Sequence, residues 1–413
     1  MPPDLLAPLR NTFRSLRHFN YRAWAAGALI SNTGTWMQRT AQDWLVLTQL
    51  TPHNATAVGI TMSLQFCPAL LLLPWTGFAA DHYNQRRMLM ATQATLGLLA
   101  LILGVLTLTD TVQLWHVYVL ALLQGCATAF DAPVRQTFVG ELVGMEDLPN
   151  AVALNSTSFN AGRMIGPAVS GLVIASIGTG WSFIANGLSF GAVLASLALL
   201  RRNELHSSAR TRRVRGSLMQ GVRYTIGRPD LVANLLMLFF LCTFGLNFPI
   251  FISTMAVRVF HADARGYGFL TSTMALGTIA GALLAAGREP RFSKLMSGSA
   301  VFGLGCALAA LAPGYRSFAA ALILIGIAAL TFTNTSNSLM QISTEPAMRG
   351  RVMALRMAVM QGCTPLGAPL VGWVADHAGP RWSLAVGATS GLISALIALR
   401  YLRTGQADWD GRP

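Results

Sequence analysis

The sequence predicts an all-α membrane protein whose twelve transmembrane helices form two parallel six-helix repeats. Three observations carry this expectation. Of 413 residues, 53% are hydrophobic and only 11% are charged, whereas a soluble chain of this size carries roughly a quarter charged residues. Apolar stretches of about the 20 residues that cross a bilayer recur along the whole chain. One half of the sequence also maps onto the other at a constant offset, the mark of an internal repeat.

The elements follow in order. Apolar runs fall near 23–48, 56–80, 88–108, 114–138, 151–177 and 181–200. Six more fall near 231–257, 267–287, 295–312, 317–341, 351–375 and 382–402. Ahead of the first run, basic and apolar residues alternate, with Arg10, Arg14 and Arg17 among them. No short apolar core with a small-residue cleavage site follows, so helix one is expected to be retained behind an interfacial lead-in. The expected domains are a six-helix half at 1–200, a basic linker at 201–229 and a second half at 230–413.

The linker carries Arg201, Arg202, Arg210, Arg212, Arg213, Arg215, Arg223 and Arg228 against only Glu204 and Asp230. Positive charge in short loops marks the cytoplasmic side. Counting helices from the linker places the Arg86–Arg87 turn, the Arg349–Arg351 turn and both termini inside as well. The opposing turns Thr51–Asn54 and Asp110–Gln113 carry no arginine, and the Arg258–Arg265 turn is a mild exception. An offset of 201 takes Gly166 onto Gly367, Gly171 onto Gly372, Gly178 onto Gly379 and Trp181 onto Trp382. The same offset takes Gly125 onto Gly326 and Leu154 onto Leu355. Two halves in the same direction imply an axis along the membrane normal.

Composition also excludes. The formal net charge is +14, but the arginines lie between apolar runs rather than on a basic face with interleaved aromatics, so no nucleic-acid partner is expected. Cys67, Cys126, Cys242, Cys306 and Cys363 each sit inside an apolar run. Without metal-ligand spacing they read as small buried hydrophobes, and no metal or cofactor is implied. No nucleophile elbow, zinc helix, P-loop or dinucleotide fingerprint is present, so an enzyme is not expected. Most tryptophans, Trp24, Trp75 and Trp181 among them, lie toward helix ends, where interfacial anchoring is the expected role.

The most informative segment is Gly77-Phe-Ala-Ala-Asp81-His82-Tyr83-Asn84-Gln85-Arg86-Arg87. It resembles the signature loop of the major facilitator superfamily, G-x-x-x-D-[RK]-x-G-R-[RK]. His82, Asn84 and Gln85 depart from that pattern. Asn84 replaces the glycine, and Asn tolerates a left-handed turn best among non-glycine residues. The resemblance implies that Asp81 latches one alternating-access state, with Arg86 or Arg87 as partner. On the fifth run, Gly162-Arg163-Met-Ile-Gly166-Pro167-Ala-Val-Ser-Gly171 resembles the G-x-x-x-G-P-x-x-x-G element of antiporters in that superfamily. Small residues four apart let helices approach closely, and the proline loosens the helix. An arginine often found three residues before Gln-Gly in drug exporters of this superfamily is replaced by Ala121, ahead of Gln124-Gly125.

Ionisable residues inside spans cost roughly 2.5–3.5 kcal/mol each at a helix centre on insertion scales, so each needs a reason. Arg39 and Asp43 lie four apart on the first helix, and Asp131 and Arg135 four apart on the fourth. That spacing puts each pair on one face. The resemblance implies that these helices line the central cavity, which makes Arg39, Asp43, Asp131, Arg135 and Arg163 candidates for contact with substrate or proton. Asp43 and Asp131 are the proton candidates, because a carboxylate in a low-dielectric cavity can titrate near neutral pH. Both pairs also fit structural ion pairs near helix ends. Arg163 and Arg356 are single charges that need a partner or a wet cavity.

Thr35-Trp-Met-Gln38, Ala41-Gln-Asp43-Trp44-Leu-Val, Phe130-Asp-Ala-Pro-Val-Arg135-Gln and Asn150-Ala-Val-Ala-Leu-Asn155-Ser are similar to the transmembrane-secretion-effector group. That group includes enterobactin exporters and macrolide efflux proteins. The resemblance implies a monomeric inner-membrane transporter that exports a mostly apolar, drug- or siderophore-like small molecule by alternating access, with protons as the coupling ion. Import of a metabolite or sugar by the same fold is the nearest alternative, and a non-transporting receptor is the more distant one.

Overall fold

A computed structural model of the chain describes residues 13–206, 218–285 and 289–404. Among these residues every regular element is helical. We number the spanning helices α1 (Phe19–Trp44), α2 (Ala55–Leu71, resuming at Leu73–His82), α3 (Gln85–Leu108), α4 (114–143), α5 (145–177) and α6 (Thr179–Leu199). The second set is α7 (Pro229–Val259), α8 (Ala264–Ala285), α9 (Phe292–Ala310), α10 (Tyr315–Ser343), α11 (Pro346–His377) and α12 (Pro380–Arg403). Helices α4 and α5 are continuous in hydrogen bonding but part at Gly144, whose φ of 73° is non-helical.

Eight continuous helices among the described residues are long and apolar enough to cross a membrane, one of them being α4 and α5 together. The three left over are α1, α2 and α11. α1 carries Arg39, α2 breaks at Leu72 ahead of Pro74, and α11 carries Arg349, Arg351 and Arg356. α1 and α11 thus fall short through polar and charged residues, and α2 through a break that leaves an apolar segment of 17 residues.

The chain divides into two compact units, Met1–Gln42 with Leu71–Arg212, and Asp43–Leu70 with Arg213–Pro413. In the first, Tyr21, Trp24, Leu89, Val134, Phe138 and Leu142 form a buried cluster. Trp24 is 0% exposed and meets Phe138 edge-on at 5.9 Å, so the anchoring expected of it is wrong. At the sixth residue of α1, its ring finds partners on α4 rather than a headgroup. Trp75 and Trp181 are exposed.

The lead-in forms a 3-10 turn, Arg14–Arg17, that docks on the polar stretch between the fourth and fifth apolar runs. Arg10 lies outside the described residues. Asp147 takes Arg14 as an ion pair and His18 Nε2 at 2.8 Å, while Ser15 N–H donates to Asn150 Oδ1 at 2.9 Å. The hydrogen bond from His18, and then the Arg14 charge, outweigh desolvation and hold the Asp147 carboxyl below its ordinary range. A carboxyl depressed in the folded state stabilises above its unfolded value and loses that contribution as pH falls through the folded one. Protection of the Ser15 amide, its exchange rate relative to the intrinsic rate at the same pH, is therefore expected to hold from neutral pH through the ordinary carboxylate range and to fall only below it. Asp147→Asn should remove this pH dependence.

In the second unit, a short helix Leu218–Ile226 precedes α7. Arg228 grips Asp230 with Nε at 3.0 Å and Nη2 at 2.9 Å, and Nη2 also reaches the Ser343 carbonyl at 3.0 Å, tying α7 to the end of α10. The Asp230 hydrogen bond raises the Arg228 pKa above its ordinary value. Linker residues 207–217, with Arg210, Arg212, Arg213 and Arg215, lie outside the described residues.

The repeat is visible in backbone detail. Gly178 and Gly379 join α5 to α6 and α11 to α12 with φ of 102° and 103° and ψ of 163° and 161°. α1 and α7 each end in a π-turn, Leu45–Gln49 and Met255–Val259, followed by a left-handed histidine, His53 or His261.

Candidate functional site

The α2–α3 turn is built from short-range chemistry. His82 Nδ1 lies 2.9 Å from the Phe78 carbonyl, and its ring stacks on Phe78 at 3.9 Å. Gly77 lies within the second segment of α2. Asn84 is not left-handed as expected. It sits at φ −68°, ψ 118° and accepts the Arg87 N–H at 3.1 Å. It caps α3 instead, because Asn satisfies an orphan donor at a helix start as readily as it makes a turn. Arg86 donates from Nε to the Leu197 carbonyl at 2.8 Å and from Nη2 to Ala198 at 3.2 Å. These are end carbonyls of α6, where a cation also complements the helix dipole. The Arg87 side chain is exposed. The Asp81 side chain lies outside the described residues, so its latch role stays an expectation.

Glycines bring α5 against α1 in the first unit. A Cβ at Gly162 would stand 2.9 Å from the Asn32 carbonyl carbon, and one at Gly166 would stand 2.6 Å from Trp36 Cβ. Ser170 Oγ donates to the Met37 carbonyl at 3.0 Å along the same seam. Pro167 and Gly171 are buried. In the second unit, a Cβ at Gly367 would overlap the Thr243 carbonyl of α7. The same device thus serves both repeats.

The charged pairs have different surroundings. Asp131 is buried, and its carboxylate accepts four hydrogen bonds. Thr92 Oγ1 and Gln93 Nε2 of α3 each reach Oδ1 at 2.7 Å, and Arg135 reaches Oδ2 with Nη2 at 2.6 Å and Nε at 2.9 Å. Asp131 and Arg135 are therefore bound into a clamp between α3 and α4. Asp43 belongs to the second unit, where Tyr267 Oη of α8 donates to Oδ2 at 3.1 Å and Trp44 stacks on Tyr267 at 6.1 Å. Arg39 and Arg163, both half-buried, converge on Trp36, with guanidinium carbons 4.9 and 5.4 Å from its ring centre. Arg356 is buried and donates from Nη2 to the Thr333 carbonyl at 3.1 Å.

One residue escaped the reading of the sequence. Asp376, at the C-terminal end of α11, accepts the Ala55 N–H at 2.8 Å, the Thr56 N–H at 2.8 Å, the Thr56 hydroxyl at 2.6 Å and Arg258 Nη1 at 3.3 Å. A carboxylate across the first turn of α2 both caps it and complements its dipole. Below the clasp, a Cβ at Gly372 would stand 2.5 Å from the Ala55 carbonyl, a Cβ at Gly59 would meet the Ala368 carbonyl, and Ser63 Oγ donates to the Pro365 carbonyl at 3.0 Å. The signal was available in a second repeat. Gly372-Trp-Val-Ala-Asp376-His377 restates Gly77-Phe-Ala-Ala-Asp81-His82. His377 Nδ1 lies 3.0 Å from the Trp373 carbonyl and the two rings stack at 4.5 Å, as Phe78 and His82 do.

Comparison with known proteins agrees with the fold and adds the lineage. Residues 5–411 match the profile described as transmembrane secretion effector. A staphyloferrin A transporter of Staphylococcus aureus is 27% identical over 83% of this chain and 86% of its own. A multidrug efflux pump, Tap, of Mycolicibacterium fortuitum is 25% identical over 94% and 96%. An enterobactin exporter of Shigella boydii is 26% identical over 86% and 85%. Among solved structures, a bacterial homologue of the human lysosomal transporter Spinster superposes with a TM-score of 0.74 at 14% identity, over 95% of this chain and 99% of that one. A D-xylose–proton symporter gives 0.72 at 13%, over 94% and 98%. These two establish the twelve-helix fold alone.

Proposed function

The chain belongs to the transmembrane secretion effector family of the major facilitator superfamily, and from that premise we propose that it exports a small organic molecule across the cytoplasmic membrane by alternating access. Relatives named as a staphyloferrin A transporter, a multidrug efflux pump and an enterobactin exporter support transport, and the last two support export, because the similarity spans most of both chains.

The observation that carries the mechanism is the pair of Gly-aromatic-x-Ala-Asp-His modules. In the topology set by the arginine linker, the Asp81 module closes α2 at the cytoplasmic face and the Asp376 module closes α11 at the outer face. Asp376 clasps the outer start of α2 when the outer ends are together. As those ends part, the Asp81 turn takes over as the latch on the other side, and the two six-helix halves alternate about a midplane site. Protons entering down the membrane potential, worth about 2.3 kcal/mol per charge per 100 mV, drive export. Asp43, half-buried where Asp131 is buried, is the carrier in this account.

Energised cells expressing the chain and loaded with carboxyfluorescein or rhodamine 6G test this. At least one dye should leave faster than from control cells, and a protonophore should abolish the difference. Asp43→Asn should lose about tenfold or more of the proton-driven component while retaining downhill exchange. Retention of both dyes by a correctly inserted protein counts against export, and export indifferent to the protonophore counts against proton coupling.

A further inference from the structure

We infer that Arg163, Arg39 and Trp36 form the recognition centre for an organic anion, so that the exported compound bears carboxylate or comparable oxyanion groups. This deepens the transport reading above and rests on it. The geometry is the starting point. Trp36 and Arg39 stand on α1 and Arg163 on α5, all within the first unit. The guanidinium carbons lie 4.9 and 5.4 Å from one indole ring, whose edge meets Phe159 at 5.6 Å. The glycine seam holds them there, because Gly166 presses its backbone onto Trp36 Cβ and Gly162 onto the Asn32–Thr33 peptide.

Two like charges brought to one ring repel. Stacking on the indole face offsets part of that and part of the desolvation, but it uses none of the forked donors of Arg163. Among the described residues, no carboxylate and no carbonyl accepts a hydrogen bond from Arg163. The Trp36 indole N–H is buried and has no acceptor. The same unit shows what a purely structural arginine looks like: Arg135 sits 2.6 Å from Asp131, with two α3 side chains completing the carboxylate. At Arg163 the fold supplies the cation but withholds the anion. A planar fork of donors matches a carboxylate bidentately, and Trp36 and Phe159 supply apolar walls for a ring beside it. The complementary charge is therefore assigned to the transported molecule, in place of the mostly apolar compound expected from the sequence.

Binding to the purified full chain in nanodiscs separates this from transport. Carboxyfluorescein, an aromatic carboxylate, and rhodamine 6G, a cation of similar size, are followed by fluorescence anisotropy. The wild type should bind carboxyfluorescein at least about tenfold more tightly than rhodamine 6G. Arg163→Gln should weaken carboxyfluorescein about tenfold or more, in line with loss of a charge-assisted hydrogen bond. Arg163→Lys, which keeps the charge and loses the fork, should fall between, and it is the variant to read if Arg163→Gln does not fold. No carboxyfluorescein binding, equal affinity for the two dyes, or wild-type affinity in both Arg163 variants overturns the assignment. Dye export that proceeds while both variants bind like the wild type leaves transport standing and removes this inference. Arg163-dependent binding without export does the reverse.

Discussion

Asp376→Ala is expected to cut export at least about tenfold while leaving the protein inserted. The carboxylate accepts two backbone N–H groups at the start of α2, the Thr56 hydroxyl and Arg258. Loss of a capping side chain costs about 0.5–2 kcal/mol, and each hydrogen bond to a charged group contributes about 1.5–3 kcal/mol. Asn54 still accepts the Ala57 N–H at 2.9 Å, so the first turn of α2 persists and the net loss is set near 2–4 kcal/mol. At 1.4 kcal/mol per factor of ten, the clasped arrangement of α2 and α11 becomes roughly 30- to 1,000-fold less favourable. Ser63→Cys reports this directly, since its side chain points at Pro365 within the closed contact. A membrane-impermeant maleimide applied from outside should label it slowly in the parent and rapidly beside Asp376→Ala. Unchanged labelling with unchanged export would remove the clasp from the mechanism. Asp376→Asn keeps one acceptor oxygen and should give an intermediate rate.

Gly367→Leu is expected to abolish folded protein rather than slow it. The Cβ alone overlaps the Thr243 carbonyl, and the atoms in the way are backbone. Thr243 lies in the π-turn Leu241–Gly245, and its carbonyl already accepts Asn247 Nδ2 at 2.7 Å. Neither partner can rotate away, so the helices must part along a seam where close approach is the source of association. Overpacking in a rigid core costs about 1–3 kcal/mol per site, and a backbone clash lies at or beyond the top of that range. Size-exclusion chromatography after detergent extraction should show aggregate where the parent elutes as a single species. Gly191→Leu is the control, because a Cβ there meets nothing within 4 Å. A monodisperse Gly367→Leu protein with parental thermal stability would refute the packing argument.

Much of the fold was legible because membrane spans are long and compositionally crude. The repeat was only half legible, and Thr33 shows why. Gly166 presses on Thr33 as Gly367 presses on Thr243, and the π-turn at Leu45 answers to that at Met255. Both correspondences run at an offset of 210, whereas helices four to six run at 201. A shorter path between α7 and α10 changes the register, so a single offset could not reach helix one. Asp131 illustrates a different limit. The spacing to Arg135 was plain, but the donors from Thr92 and Gln93 depend on how α3 lies against α4, which no periodicity encodes. Asp376 was hidden for a third reason: charges were weighed only inside the spans, and it lies just past the run 351–375, acting at a helix end on backbone groups far away in sequence.

That distance bears on how the protein is made. Ala55 and Asp376 are 321 residues apart, and the segment Asp43–Leu70 belongs to the compact unit that contains the last six helices rather than to its sequence neighbours. At about 5–20 residues per second, the ribosome delivers Asp376 roughly 15 seconds to a minute after Ala55. Throughout that interval the first segment of α2, Ala55–Leu71, has left the ribosome without its native partners. Biogenesis therefore cannot proceed one half at a time. Completion of the amino-terminal helices waits on the carboxyl-terminal ones, and a chain stalled before α11 exposes Gly59 and Ser63 on an unmated surface that membrane quality control can recognise.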